Sequence, residues 1–304
     1  MVRLIDSGSA LGSGRFTVDV HEGAYQNFLL ELYGTTDTAQ TLLLSDIGRI
    51  RVLRQGRELQ GETFEFFHKF TAIHAGYPDT VTGNAATAEN IACIIPCQLP
   101  GLPNVLLAES REEIDIILEF GGNLDTRFGA NPFTWNLYGI TNELLAERYE
   151  LQVFEQDQTP GGATTLTDLI QGVNIAALYL RDPSSIVTQI QVMADGNVEI
   201  DNIRPTALNT LTNIRNQVES SGNDLIQLLV ASGPTILQSL NRSVRLQLST
   251  STSGTIEVTG IKLAPAKKQG KSIERAKSFA AARVASQSGL GAGAKIPVGT
   301  GRVR

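Results

Sequence analysis

One hairpin pattern occurs twice in this chain, and the repetition constrains the fold more than any other feature of the sequence. Residues 186 to 200 read IVTQIQVMADGNVEI, where apolar residues at alternate positions surround a turn that ends at Gly196. Alternation interrupted by an Asp-Gly pair predicts a β-hairpin whose apolar side chains, Ile190 among them, face a core. Residues 47 to 59, IGRIRVLRQGREL, repeat the pattern 140 positions earlier. The chain therefore contains two versions of one hairpin.

Apolar strands around the two hairpins also recur in the same order. The spacing between matched positions falls steadily along the chain, from 146 to 121 residues. This decrease is expected when the second copy of a unit has shorter late loops, so we interpret the chain as a tandem duplication. The alternative is two unrelated antiparallel domains, because any such pair shows alternating apolar triplets. The matched positions, first copy before second, are Phe28, Leu30 and Leu32 with Asn174, Ala176 and Leu178; Ile91 and Ile94 with Leu225 and Leu228; Ile114, Ile116 and Leu118 with Val244, Leu246 and Leu248; and Trp135, Leu137 and Gly139 with Ile256, Val258 and Gly260.

The duplication divides the 304 residues into four segments. Two domains of about 120 to 140 residues are each long enough to bury a core of ordinary size. The opening segment is rich in Gly and Ser, which predicts an irregular arm. The segments are an N-terminal arm at 1–14, a first domain at 15–142, a second domain at 143–263 and a C-terminal tail at 264–304.

Each domain inserts a helical pattern directly after its hairpin. The segments GETFEFFHKFTAIHAG, from residue 61, and RPTALNTLTNIRNQVES, from residue 204, place apolar residues at helical spacing. In the first segment, His68 and His74 lie six positions apart on opposite sides of the helix, which favours surface or capping positions. The shared interruption supports the duplication.

The remaining pattern predicts the fold class. Each domain offers about eight short strands separated by turn signals, and eight antiparallel strands with long connections are typical of a jelly roll. Cys93 and Cys97, four residues apart on one strand, are too distant for a disulfide and are expected to be small core residues. We predict an all-β chain of two tandem eight-stranded antiparallel jelly rolls, each with a short inserted helix, followed by a basic tail.

Catalytic signatures are poor. The three histidines include no His-x-His pair, so the metal site of a cupin enzyme is not expected. Gly270-Lys271-Ser272 resembles part of a phosphate-binding loop, but Pro265 stands where that motif requires glycine. Acidic residues at 112–115, and Asp195 with Asp201, could hold a structural calcium ion, although solvated acidic loops are the more common arrangement. We therefore expect neither an enzyme nor a cofactor.

Charge is distributed unevenly along the chain. Residues 264–304 contain nine Lys or Arg and one Glu, a net charge of +8, whereas the preceding residues carry −14. Residues 272–286 could form a weakly amphipathic basic helix, and the alternative is a disordered solubilising tail. The candidate contact residues on an inner surface or with a neighbouring subunit are Lys267, Lys268, Lys271, Arg275, Lys277 and Arg283.

The sequence contains no apolar run of the 18 to 20 residues that a bilayer span needs, and its opening residues lack the apolar stretch of a secretory signal. The expected place of synthesis and assembly is a cytoplasm.

The duplicated strand plan and the helix after each hairpin resemble the double jelly-roll major capsid proteins of tailless icosahedral phages. The opening segment GRFTVDVHEGAYQNFLLELYGT is most similar to the smaller members, from PM2-like phages with an internal membrane. The resemblance covers roughly residues 15–263. It rests on the order of the strands and helices and on the alternating apolar pattern within the strands. The basic tail departs from the family's pattern, so the resemblance does not extend to its role.

Such a resemblance implies a non-catalytic protein of the virion capsid. Three copies of a two-barrel chain present six similar barrels around a threefold axis, which makes a pseudo-hexameric capsomer. The implied partners are two further copies of the chain, neighbouring capsomers, and penton and minor capsid proteins. For the tail, an internal lipid membrane and a groove on an adjacent capsomer are both favoured over packaged nucleic acid, because the apolar stripe of the tail can contact either of them but not DNA.

Two other classes of protein remain as alternatives. A carbohydrate- or receptor-binding β-sandwich protein such as a phage spike usually shows many exposed aromatic residues, whereas this chain has one Trp and six Tyr. A two-domain cupin enzyme is disfavoured by the histidine count.

Overall fold

The structure is a computed structural model that describes residues 1–75, 86–99, 101–216, 225–230 and 243–266. Within these ranges the chain forms two β-sandwiches that follow one another in sequence. Every strand pair is antiparallel. None of the described helices is both long and apolar enough to cross a membrane.

The first sandwich contains two sheets. One has the strand order β1-β9-β3-β6, with β7 beside β3, and the other has the order β2-β8-β4-β5. The apolar residues at alternate positions of both sheets point between them and form the core. The strands are β1 (Val2–Ala10), β2 (Gly14–Asp19), β3 (Gly23–Thr35), β4 (Gly48–Arg54), β5 (Arg57–Thr63), β6 (Ala88–Pro96), β7 (Leu106–Ala108), β8 (Ile114–Phe120) and β9 (Phe133–Thr141).

The second sandwich repeats this plan strand for strand. Its sheets have the orders β10-β17-β12-β15 and β11-β16-β13-β14, which match those of the first once the short β7 is set aside. The predicted pair of eight-stranded antiparallel jelly rolls is thereby confirmed. The strands are β10 (Tyr149–Gln158), β11 (Thr164–Val173), β12 (Ile175–Arg181), β13 (Val187–Ala194), β14 (Asn197–Ile203), β15 (Leu225–Val230), β16 (Ser243–Thr250) and β17 (Ile256–Pro265).

The repeated hairpins occupy equivalent places, β4–β5 and β13–β14. Both turn residues have positive φ in each copy, 51° and 76° at Gln55 and Gly56, and 51° and 78° at Asp195 and Gly196. This pairing of positive φ values is the two-residue turn that the twist of a hairpin favours. The predicted hairpins are confirmed.

One predicted correspondence is wrong by four residues. Phe28 pairs with Gly139 and Leu178 pairs with the equivalent Gly260, so β3 matches β12 at a spacing of 150 and not 146. Alternation has a period of two, and an even slip therefore leaves the same face apolar. Only the pairing with the neighbouring strand distinguishes the two registers.

The N-terminal segment differs from the expected irregular arm at 1–14, since Val2–Ala10 forms the edge strand β1. It pairs with β9 over almost its full length, and Ile5 is buried in the first core. Gly8 lies flat on the ring of Trp135, where an added Cβ would come within 2.7 Å of the ring. The small residues that suggested an irregular segment instead allow close contact with an aromatic side chain.

Both predicted helices are present, and each follows its hairpin directly. Helix α1 (Phe64–Ala75) and helix α3 (Pro205–Asn216) are each 12 residues long, and a short helix α2 (Asn123–Phe128) precedes β9. The hydroxyl oxygen of Thr63 accepts a hydrogen bond from the backbone N–H of Phe66 and caps α1. Nearly all of α1 is buried, which is typical of a helix enclosed on several sides.

The first core continues into the second sandwich. Tyr149, Ala177, Tyr179 and Leu263 belong to the second sandwich, yet they pack with the apolar residues of the first. A separate core lies between the sheets of the second sandwich. Cys93 and Cys97 are free thiols within the first core, as predicted.

Candidate functional site: the seam between the two sandwiches

The two sandwiches meet along one surface, which we call the seam. On one side lie β5 and α1 of the first sandwich, and on the other lies the outer face of the sheet that contains β10, β17 and β12. The seam determines how the two sandwiches are oriented relative to each other. For a protein built of two similar units, that orientation is the property on which any symmetrical assembly depends.

A buried cluster of charged residues occupies one end of the seam. Arg54 ends β4 just before the hairpin turn, and its guanidinium donates to Glu150 at 2.7 Å and to Glu147 at 2.6 Å. It also donates to the carbonyl oxygen of Leu107 at 2.7 Å. Arg57, after the turn, donates to the second oxygen of Glu150. Arg54 and both carboxylates are at most 5% exposed, so the pairs are formed away from water.

Burial and pairing act in opposite directions on the pKa values of this cluster. Burial raises the pKa of Glu147, and the charge of Arg54 acts to lower it. Burial lowers the pKa of Arg54, but Glu147 and Glu150 raise it by more, so the guanidinium stays charged. Such a cluster is satisfied only while every member is present. It therefore fixes the position of β10 against the first hairpin.

A second carboxylate, Glu62, stands in the middle of the seam. Its side chain accepts hydrogen bonds from the Thr259 hydroxyl at 2.8 Å and from the backbone N–H of Thr63 at 2.7 Å. Burial, assisted by the charge of Glu155, raises the pKa of Glu62 to about 7, against the lowering effect of its hydrogen bonds and of Arg49. Near neutral pH, this carboxyl is therefore partly protonated.

Aromatic side chains of α1 enclose Tyr179 on the far side of the seam. Phe66 and Phe70 meet the tyrosine ring edge to face, each with ring centroids 5.7 Å away. His74 Nε2 lies 2.8 Å from the Tyr179 hydroxyl, and burial lowers the pKa of His74 to about 4. The imidazole is therefore neutral at pH 7, and its Nε2 shares a hydrogen bond with the tyrosine hydroxyl. Below these rings, Arg181 bridges Glu65 of α1 at 2.9 Å and Glu257 of β17 at 2.7 Å.

The expectation that His68 and His74 are surface or capping residues is wrong. His68 is fully buried, with Nδ1 2.8 Å from the carbonyl oxygen of Ala92 on the edge strand β6. Thr71 accepts a hydrogen bond from the N–H of Ile94 on the same strand, 2.7 Å away. Polar side chains of α1 thus satisfy backbone groups at the free edge of β6. Both sides of the helix are covered, one by β6 and the other by the second sandwich.

The six basic residues predicted to contact an inner surface or a neighbouring subunit all lie outside the described residues. They are Lys267, Lys268, Lys271, Arg275, Lys277 and Arg283. Strand β17 ends at Pro265, and Ala266 after it is buried. The tail therefore follows directly on β17, an inner strand of its sheet.

The described residues provide neither a metal site nor a ligand pocket. Within the described ranges, no group of three or more His, Cys, Asp or Glu side chains is arranged to hold a metal ion. An apolar cavity of about 10 Å³ lies in the first sandwich and is lined by Leu32, Leu42, Leu124 and Phe128, among others. This volume is near the minimum for one water molecule and too small for a ligand.

Arg54, Glu147 and Tyr179 form the seam, yet no sequence pattern marks them as functional residues. Isolated charged residues beside a hairpin turn, or in the connection between two domains, are usually solvated. One signal was available for α1, whose first sequence segment carries four Phe residues on more than one face. A helix of that composition is buried all round.

Comparison with known proteins adds a further observation. No family model matches the chain, and a search of curated proteins found no match. Solved structures do match. The major capsid protein P2 of bacteriophage PM2 aligns with a TM-score of 0.61 and 13% identity, over 88% of this chain and 98% of that one. The STIV major capsid protein gives 0.64 and 9% identity, over 87% and 96%. The PBCV-1 virus capsid gives 0.57 and 9% identity, over 86% and 93%.

The chain has the double jelly-roll fold of these viral capsid proteins. At such low identities the likeness lies in the fold, and it extends over both sandwiches of each protein. The seam is therefore an internal joint of a double jelly roll, and the predicted resemblance to major capsid proteins is confirmed at the level of the fold.

Proposed function

We propose that this chain is a major capsid protein that assembles as a trimer, a pseudo-hexameric capsomer of an icosahedral virion. The observation that carries the proposal is the strand-for-strand repetition of one sandwich within a rigidly joined chain. Three such chains around a threefold axis present six similar sandwiches, and such a hexagonal outline packs at the six-coordinated positions of a closed shell. The solved capsid proteins of the same fold support the assignment.

The contacts of the seam fit a non-catalytic, structural role. Its buried charges are engaged with one another, and its histidine is held neutral by burial. Both features lock two rigid bodies together, as a shell component requires. Within the proposal, the partners are two further copies, neighbouring capsomers, and penton and minor capsid proteins. The protein then resides in the capsid and is assembled in the host cytoplasm.

For the basic tail we propose an inner position where it meets anionic lipid or an adjacent capsomer, with packaged nucleic acid as the less favoured partner. The charge of +8 over residues 264–304, against −14 in the rest of the chain, motivates this orientation. Each basic residue near anionic head groups contributes about 1 kcal/mol to membrane attraction. A few engaged residues on each of three chains are enough for recruitment.

The mass of the purified protein in solution tests the capsomer proposal. Light scattering in moderate salt should give three times the chain mass of 32.7 kDa. The result should hold across micromolar concentrations, because a capsomer must persist before it joins a shell. A clean monomer or dimer under those conditions would refute the trimer.

A further inference from the structure

We propose that protonation of Glu62 holds β5 and β10 together in the middle of the seam, and that ionisation of this carboxyl separates the two strands while both sandwiches stay folded. The fold then contains a pH-sensitive joint between its two sandwiches. The joint lies within one chain, so its behaviour does not depend on the proposed trimer.

Glu62 interrupts the charge complementarity of the seam. Elsewhere, arginines of the first sandwich meet carboxylates of the second. Arg54 lies 2.7 Å from Glu150. Arg49 lies 3.6 Å from Glu155. Glu62 stands on β5, on the same side of the seam as these arginines, yet it is itself a carboxylate. Once ionised, it adds a negative charge opposite the acidic strand β10.

Arg49, the arginine whose charge acts on Glu62, is already engaged. It donates to the carbonyl oxygen of Gly61 at 2.9 Å, in addition to its pairing with Glu155. When Glu62 and Glu155 are both ionised, this single guanidinium leaves one negative charge uncompensated. Glu62 is only 2% exposed, so water screens that charge poorly. Burial therefore raises the pKa of Glu62 to about 7, and the charge of Glu155 adds to the rise.

Cations on the other elements around Glu62 are paired with different carboxylates. Arg181 is held between Glu65 at 2.9 Å and Glu257 at 2.7 Å. Lys69 lies 3.3 Å from Glu65 as well. The charged groups on the elements that surround Glu62 are Arg49 on β4, Glu65 and Lys69 on α1, Glu155 and Asp157 on β10, Arg181 on β12 and Glu257 on β17.

Glu62 and Glu155 titrate together. Burial raises the pKa of Glu155 too, and Asp157 contributes to that rise. Because the charges of Glu62 and Glu155 influence each other, the two carboxyls release their protons as a coupled pair. His74, on the far side of the seam, has its pKa lowered to about 4 by burial and stays neutral near pH 7. Near neutral pH the seam therefore responds through this pair, in which Glu62 is the more deeply buried member.

The contact between β5 and β10 can open without separating the sandwiches. Both are edge strands of their own sheets, so their outward backbone groups are sheltered by the seam and not by a neighbouring strand. On the far side of the seam, Phe66 and Phe70 pack on Tyr179 through ring contacts that carry no charge. Ionisation of Glu62 therefore weakens the strand contact and leaves the aromatic contact in place.

Amide hydrogen exchange tests this joint at the strands where it acts. After correction for the intrinsic effect of pH on exchange, the protection of β5 and β10 should fall by about tenfold or more between pH 6 and pH 8.5. The central strands β3 and β12 should keep their protection. Protection of β5 and β10 that does not change with pH would overturn the proposal. An equal loss in the central strands would also overturn it, because the change would then be global unfolding.

Substitution of single carboxylates assigns the response to Glu62. Glu62→Gln should keep the protection of β5 and β10 at both pH values, because the amide stays neutral. The matched control is Glu58→Gln on the same strand, where the carboxylate is 38% exposed and pairs with Arg51. The control should lose protection as the wild type does. A Glu62→Gln variant that behaves like the control would refute the role of Glu62.

Glu155→Gln provides a second variant, which leaves Glu62 in place. It removes the facing charge and releases Arg49 to pair with an ionised Glu62, so the loss of protection at pH 8.5 should be smaller than in the wild type. A loss as large as that of the wild type would contradict the coupled pair.

Light scattering on the same samples reports the trimer separately. A trimer whose exchange is independent of pH would overturn the joint and leave the capsomer proposal intact. A monomer that shows the pH response would do the reverse.

Discussion

Arg54 shows how a single buried residue can hold two sandwiches in place. Its guanidinium reaches Glu147 and Glu150, which lie more than 90 positions later, and all three are nearly inaccessible to water. Removing water from charged groups is costly, and mutual pairing recovers that cost only when the set is complete. The cluster therefore contributes more to specificity of orientation than to net stability.

Replacing Arg54 should be far more harmful than replacing a surface arginine. Arg54→Met leaves two carboxylates buried without their main partner and should lower the free energy of unfolding by about 3 to 5 kcal/mol. The matched control is Arg51→Met, since Arg51 pairs with Glu58 at a site about one third exposed. Its effect should stay below about 1 kcal/mol. Urea unfolding of both variants measures the difference, and similar losses would show that the buried cluster is not special.

Glu62 should make the seam sensitive to pH near neutrality. Its pKa is raised to about 7 in the folded protein from an ordinary value of 4.5. The folded state therefore retains a proton that the unfolded chain releases, and the stability that this proton provides is lost as pH rises from about 4.5 to 7. The expected penalty above pH 7 is about 3 kcal/mol.

Glu62→Gln tests this effect, because a neutral amide can still accept the Thr259 hydrogen bond. Its melting temperature should exceed that of the wild type at pH 8, and the advantage should vanish near pH 4.5. His74 has the opposite dependence, since its lowered pKa of about 4 destabilises the fold as pH falls below about 6.5. The effect of Glu62 is therefore isolated only by the difference in melting temperature between the wild type and Glu62→Gln at each pH. A difference that does not vary with pH would refute the raised pKa.

At the scale of elements, the two hairpins are the repeated units around which each sandwich is built. Ile190 on β13 is fully buried and pairs with Leu248 on one side and Ile203 on the other. The same arrangement holds around Ile50, which pairs with Leu118. Alternation predicted these interior positions, and the structure confirms them.

Ile190→Asp should prevent the second sandwich from folding. An unpaired carboxylate in the core costs several kcal/mol, a large part of the 5 to 15 kcal/mol that stabilise a typical domain. Insoluble expression is the expected result. Gln189→Asp, at the exposed neighbouring position on the same strand, should express as soluble protein. Normal folding of the Ile190 variant would mean that the register of β13 is wrong.

For the whole molecule, the uneven distribution of charge bears on assembly. Removing residues 267–304 takes away the basic tail and keeps β17 and the buried Ala266. The truncated protein should still form soluble trimers but should fail to bind anionic liposomes or to close shells. Flotation with vesicles of phosphatidylserine and phosphatidylcholine measures the first defect, and electron microscopy measures the second. Truncated trimers that do both at the normal level would remove the tail from the mechanism.

The sequence alone determined the features that depend on local periodicity. Alternating apolar residues, Asp-Gly and Gln-Gly turns, and the helical stretch after each hairpin predicted two similar jelly rolls, because side-chain period and turn chemistry act within a few residues. The tertiary structure decided what depends on distant partners. Strand β1 forms because it pairs with β9 and because Gly8 packs on the Trp135 ring. The register of β12 is set by its pairing with β17, where Leu178 lies opposite Gly260. Arg54 is buried because carboxylates from another sandwich meet it there. The cost of burying a charge is set by the partner, and the partner is adjacent only after folding.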